Sequence, residues 1–101
     1  MAHHLPVIGA GPDLREWRRV LLALRELADT VTGAADSADG LITATVSARG
    51  ELLDLWLDQR IYRTSDSARL AVQITGTVRE AARRARARVA VKLDEMLRRT
   101  G

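Results

Sequence analysis

The sequence predicts an α+β chain built from one helix, a β-hairpin and a long C-terminal helix. Three patterns point to it. Apolar residues recur at helical spacing over 67–99 with no proline among them, and at alternating steps of three and four over 14–31. Between these, residues alternate in two faces over 42–47 and again over 53–58, joined by a short turn. At 101 residues the chain is one small domain, expected to bury roughly 65% of its unfolded surface on folding. So thin a margin favours burying further surface against a second copy.

The expected organisation is a flexible tail over 1–12 followed by a single domain over 13–99. His3 and His4 are the only histidines, and two neighbours in a tail cannot close a coordination sphere. They are read as either native residues or the remnant of a tag. Cysteine is absent, which excludes disulfides, thiolate metal sites and a cysteine nucleophile. No apolar run is long enough to span a membrane, and the first twelve residues lack the basic start and apolar core of a signal peptide. The expected location is the cytoplasm.

The first helix opens at Pro12 and Asp13, residue types suited to a first turn and to the positive end of the helix dipole. Leu14, Trp17, Leu21, Leu24, Ala28 and Val31 then form a short seam of heptad type. Val20, Leu22 and Leu27 widen it beyond what one partner helix needs, which marks Leu22 and Leu27 as candidates for a subunit interface. The small polar run 32–40, TGAADSADG, reads as the helix exit and a flexible link.

The hairpin follows. Ile42, Ala44 and Val46 alternate with Thr43, Thr45 and Ser47, the pattern of a strand with one buried face. Ala48, Arg49 and Gly50 make the turn, and Leu53, Leu55 and Leu57 alternate with Asp54, Trp56 and Asp58 on the return. Trp56 therefore lies opposite the leucines, beside Thr43 and Thr45. An indole on the outer face of a two-stranded sheet calls for cover, so these three residues are the expected core of a dimer interface. Ile61 and Tyr62 are read as either a short third strand or an apolar link.

In the long helix Ile74, Val78, Ala81, Ala82, Ala85, Val89, Leu93 and Met96 gather into one stripe. Thr64, Ser65, Asp66 and Ser67 offer its N-cap. Gly76 inside it costs about 1 kcal/mol relative to alanine, and close approach of another backbone is the expected reason. Arg79, Arg83 and Arg86 line one edge of the stripe and Arg84 and Arg88 the other. From Arg79 onward eight basic residues face three acids, and Glu80 is the only acid between Arg79 and Lys92. The arginines therefore lack the acids of an ordinary salt-laced helix. Fifteen of the sixteen basic residues are arginine, whose planar fork suits phosphate or carboxylate.

No constellation for catalysis is present. There is no glycine-rich phosphate loop, no HExxH and no nucleophile elbow, and no histidine outside the tail serves as a base. Asp54 and Asp58 read as a solvated edge. No enzyme activity, cofactor, metal or small-molecule substrate is expected.

The order of elements has a counterpart. Over 39–97 the chain resembles the YbaB/EbfC family of bacterial nucleoid-associated proteins. The match runs through DGLITATVSARGELLDLWLD and, ungapped, through Ile74, Val78, Glu80, Ala81, Ala85, Lys92 and Leu93. Departures are Asp58-Gln59 where the family has Asp-Pro, Arg79-Glu80 where it has Asn-Asp, and the arginine-rich final helix. The resemblance implies a homodimer joined through its sheet regions, with projecting helical arms that hold duplex DNA in the nucleoid. On that reading Arg79, Arg83, Arg84, Arg86 and Arg88 contact phosphates, with Arg18, Arg19 and Arg25 adding to them. The alternative is a protein–protein adaptor, or a secretion-associated accessory protein, whose basic surface meets an acidic partner.

Overall fold

The computed structural model describes residues 14–63 and 66–100. Helix α1 covers Leu14–Thr30 and helix α2 covers Ser67–Thr100. Between them lie strands β1 (Thr32–Asp36), β2 (Ile42–Ser47) and β3 (Leu52–Leu57), then a 3-10 turn over Gln59–Arg63. The strands form one antiparallel sheet in the order β1-β2-β3. The architecture is α+β, as the periodicities require. The tail over 1–12 and the helix start at Pro12 and Asp13 lie outside the described residues.

The third strand precedes the hairpin. Thr32–Asp36 pairs with β2 from Thr32 against Ser47 to Asp36 against Thr43, where the sequence suggested only a link. Its side chains are too small to give an alternating signal, yet small size is what its place requires. Gly33 lies so close to α2 that a Cβ there would sit 2.5 Å from the carbonyl oxygen of Ala81 and 2.9 Å from the Cα of Ala85. The β1–β2 turn is closed by the Ser37 hydroxyl, which donates to Asp39 and accepts from the amide of Ile42, and by Gly40 at φ 75°. Ile61 and Tyr62 belong to the 3-10 turn instead of a strand. Ile61 is buried and Tyr62 points outward.

In the β2–β3 hairpin Thr43 lies opposite Trp56 and Ala44 opposite Leu55. Ile42, Ala44 and Val46 are fully buried against α2, while Thr43, Thr45 and Trp56 occupy the outer face. A bulge shifts the register after Thr45, so that Val46 meets Leu52. The extra residue leaves Leu53 exposed, out of line with Leu55 and Leu57.

Asp66 caps α2, its carboxylate accepting the amide of Arg69 at 3.0 Å. Thr77, Ala81 and Ala85 face the sheet and are buried, and Ile74, Val78, Ala82, Val89 and Leu93 flank them half-buried. Gly76 differs from expectation: nothing lies within 4 Å of where its Cβ would be. The close approach belongs to Gly33 instead.

Helix α1 runs back along the C-terminal half of α2. Val20 and Ala23 share a crevice with Leu93, Met96 and Leu97, while Leu24 and Ala28 reach Val89 and Leu93. This face is rotated from the seam read in the sequence. Leu14 (76% exposed), Trp17 (44%) and Leu21 (57%) remain open to solvent, so Trp17 is not core in the single chain. The wide apolar arc of α1 admitted either choice, and α2 takes the smaller side chains. The result is an elongated molecule of 62 × 31 × 17 Å with a radius of gyration of 18.8 Å, against about 13 Å for a compact chain of this length.

Candidate nucleic-acid interface

The arginines of α2 divide by what they touch. At 100° per residue Arg79, Arg83 and Arg86 fall on one flank of the helix and Arg84 and Arg88 on the other, next to the edge of β1. Arg84 donates through Nη1 to the carbonyl of Ala34 at 3.0 Å, and Arg88 does the same to Thr32 at 3.0 Å. Glu80 lies between the flanks. It accepts Nε and Nη2 of Arg83 at 3.0 and 2.6 Å and Nε of Arg84 at 3.0 Å. Hydrogen bonds from Arg83, then from Arg84, hold its carboxyl down to about 2, and the same contact raises the pKa of Arg83. One carboxylate thus serves two guanidinium groups.

Arg79 and Arg86 are exposed and form no ion pair among the described residues. Arg86 borders a crevice lined by Leu24, Ala28, Ala48, Val89 and Leu93, where α1, α2 and the β2–β3 turn meet. With Arg79 and Arg83 it forms a cationic row of three with one acid, Glu80, at its edge. On α1, Arg19 is bound to Glu16 at 3.1 Å. Arg18 and Arg25 are exposed without an ion pair among the described residues, and they border Leu14, Trp17, Leu21 and Leu22.

The residues expected at a subunit interface fall in two places. Trp56 is 49% exposed on the outer sheet face, next to Thr43, whose hydroxyl donates to Asp36 at 2.7 Å. Thr45 stands one pair further along the same face, opposite Asp54. Leu22 is exposed on α1, while Leu27 is half-buried. Sequence reasoning missed the partners of Arg84 and Arg88, because backbone carbonyls leave no side-chain signal. The run TGAAD beside two arginines four apart is the only trace. Asp58 also has a partner: Arg60 binds it through its amide at 2.8 Å and through Nε at 3.1 Å, holding its carboxyl below the usual range. Among the described residues no group of three or more His, Cys, Asp or Glu is placed to hold a metal ion. No described helix is long and apolar enough to cross a membrane.

Comparison with known proteins agrees with this arrangement. The sequence model of the YbaB/EbfC DNA-binding family matches residues 13–100. Among solved structures, the crystal structure of uncharacterized protein HP0035 from Helicobacter pylori superposes with a TM-score of 0.56 at 15% identity. The match covers 83% of this chain and 93% of that one, and at such identity it speaks for the fold alone. A comparison with curated proteins gave no match.

Proposed function

The chain belongs to the YbaB/EbfC DNA-binding family, and from that premise we propose that it binds duplex DNA in the nucleoid, as a homodimer, through phosphate contacts. The observation that carries the reading is the row of Arg79, Arg83 and Arg86, exposed along one flank of α2 with a single acid beside it. Guanidinium forks on a helix flank match phosphate oxygens, and such contacts position a protein on DNA without reading sequence. The pair between Arg83 and Glu80 is solvent-exposed, and pairs of that kind contribute little, so a phosphate competes with it readily. Arg18 and Arg25 add to the field from α1, Arg19 to a smaller extent through its bond to Glu16. Arg84 and Arg88 are turned toward β1 and contribute charge more than contacts. The homodimer is supported by Trp56 with Thr43 and Thr45 on an uncovered sheet face, and by Leu22.

The test is a salt titration of binding to two unrelated duplexes by fluorescence anisotropy. Each neutralised phosphate contributes about 0.9 to the slope of log K against log salt, and a dimer engaging half its arginine copies gives roughly 4 to 6. Arg83→Ala with Arg86→Ala should lower affinity alike on both duplexes and flatten the slope. An unchanged slope removes these residues from the interface. A second reading, an adaptor for an acidic protein, is favoured by the apolar side chains of Leu14, Trp17, Leu21 and Leu22, which line one crevice together with Arg18 and Arg25. Failure of the parent to bind either duplex at low salt would select it.

A further inference from the structure

The two bonds from α2 to β1 have a geometry of their own. In the β1–β2 ladder the amide of Ala48 donates to the carbonyl of Val31, and the amide of Ser37 to that of Ile42. Antiparallel pairs alternate between bonded and non-bonded, so Gly33 and Ala35 also turn their backbone groups toward β2. Thr32 and Ala34, between them, turn theirs outward, to the open edge of the sheet. Those are the carbonyls that Arg88 and Arg84 occupy. Residues four apart on a helix and two apart on a strand lie at about the same rise, close to 6–7 Å, so one helix flank serves alternate positions of one strand edge. Glu80 holds the Nε of Arg84, which leaves its Nη1 aimed at Ala34.

We infer that Arg84 and Arg88 close the β1 edge, which is otherwise a strand-pairing surface for a second copy of this chain. An unprotected edge offers a row of unpaired N–H and C=O groups to any other strand, and folded proteins keep such edges covered or charged. β1 needs the protection more than most strands. Gly33 and Ala34 present no bulk to hinder an incoming strand, and side chains of this size leave pairing register weakly specified. A guanidinium on each outward carbonyl removes the acceptors that strand addition needs and places positive charge at the point of approach. The inference concerns the second arginine row and stands apart from the DNA reading, which rests on the first.

Arg84→Met with Arg88→Met tests it, because methionine keeps the helix-forming, unbranched stem and deletes the donors. The control is Arg83→Met with Arg86→Met, which removes the same charge from the same helix. Weight-average mass is followed by light scattering against concentration, with circular dichroism to confirm folding. The Arg84/Arg88 pair should rise to about twice the mass of the parent or more, while the control keeps the parent's mass. Adding Ala34→Pro to the first pair should restore the parent's mass, since it deletes an outward N–H that the β1–β2 ladder does not use. An unchanged mass in the Arg84/Arg88 pair overturns the inference. So does an equal rise in the control, or a rise that Ala34→Pro leaves in place. If the double substitution unfolds the chain, Arg84→Met alone frees the central carbonyl and is judged by the same three comparisons.

Discussion

Gly33→Ala is the sharpest perturbation the fold offers, since it adds one methyl group where two backbones meet. The new Cβ would lie 2.5 Å from the Ala81 carbonyl oxygen and 2.9 Å from Ala85 Cα, and it would also press on the amide nitrogen of Ala85. All three are main-chain atoms of α2, so no side chain can swing aside. Relief requires β1 to move off the helix by an ångström or so, and that motion also pulls the carbonyls of Thr32 and Ala34 from Arg88 and Arg84. Overpacking in a core costs about 1–3 kcal/mol, and with rigid atoms on both sides the upper end applies. For a domain of this size each kcal/mol moves the midpoint by about 4–8 °C, so a fall of roughly 10–25 °C is expected.

Thermal melting by circular dichroism reads this directly, with Gly40→Ala as the comparison. Gly40 has φ 75° but open space around it, so alanine there meets only local strain of about 1–2 kcal/mol. The order of stability should therefore be parent, Gly40→Ala, Gly33→Ala. A Gly33→Ala protein melting within about 2 °C of the parent would mean that β1 does not rest on α2, and the arginine contacts to β1 would fall with it.

Three further outcomes follow from particular residues. Gly76→Ala should raise stability by about 1 kcal/mol, because the site is an open helix interior; a loss instead would show that another chain packs there. Trp56→Asp should weaken or abolish the proposed dimer, in which burying this region would be worth several kcal/mol at about 25 cal/mol per Å²; light scattering showing a monomeric parent would refute that proposal. The Glu80 carboxyl is lowered from 4.5 to about 2 by Arg83 and Arg84, so its contribution is complete above pH 4.5 and is lost as pH falls toward 2. Glu80→Gln should therefore lose less stability than the parent across that window in acid melting curves; parallel curves would show that the pairs are not formed in solution.

What the sequence disclosed and what it concealed divide by side-chain size. Ile42, Ala44 and Val46 alternate with threonines, which puts one face of β2 in the core, and Trp56 alternates with Leu55 and Leu57, which puts the indole on the other face of the sheet. The stripe on α2 was equally visible, because Ile74, Val78, Val89 and Leu93 recur at helical steps. β1 was not visible: a strand of glycine and alanine leaves no alternation, and its evidence is a backbone distance that only the folded chain defines. The same limit explains the two glycines. Gly76 was conspicuous because it interrupts a helix, while Gly33 sat in a run that looked like a link. On α1 apolar residues fill so wide an arc that periodicity could not say which part faces α2. For the arginines the two flanks are legible from helical spacing but their partners are not, since one set of partners is main chain.

The core that results is thin, and this bears on why the chain should associate. Among the described residues Val31, Ala35, Ile42, Ala44, Val46, Ile61, Ala81 and Ala85 are the buried apolar ones, and of the larger of these only Ile42 and Val46 are completely enclosed. Alanine contributes little transfer free energy, about one methyl group's worth each, so α2 and the sheet gain mainly from close van der Waals contact at Gly33, Ala81 and Ala85. Contact of that kind depends on backbone fit and leaves no reserve when the fit is lost. Meanwhile Leu14, Trp17, Leu21, Leu22, Leu52, Leu53 and Trp56 stay exposed in the single chain. A second copy covering even part of it adds burial that the elongated fold does not provide alone. If that copy is held at the outer sheet face, the flank of α2 that carries Arg79, Arg83 and Arg86 stays free for an anionic partner, because it lies on the helix beyond the sheet's inner face.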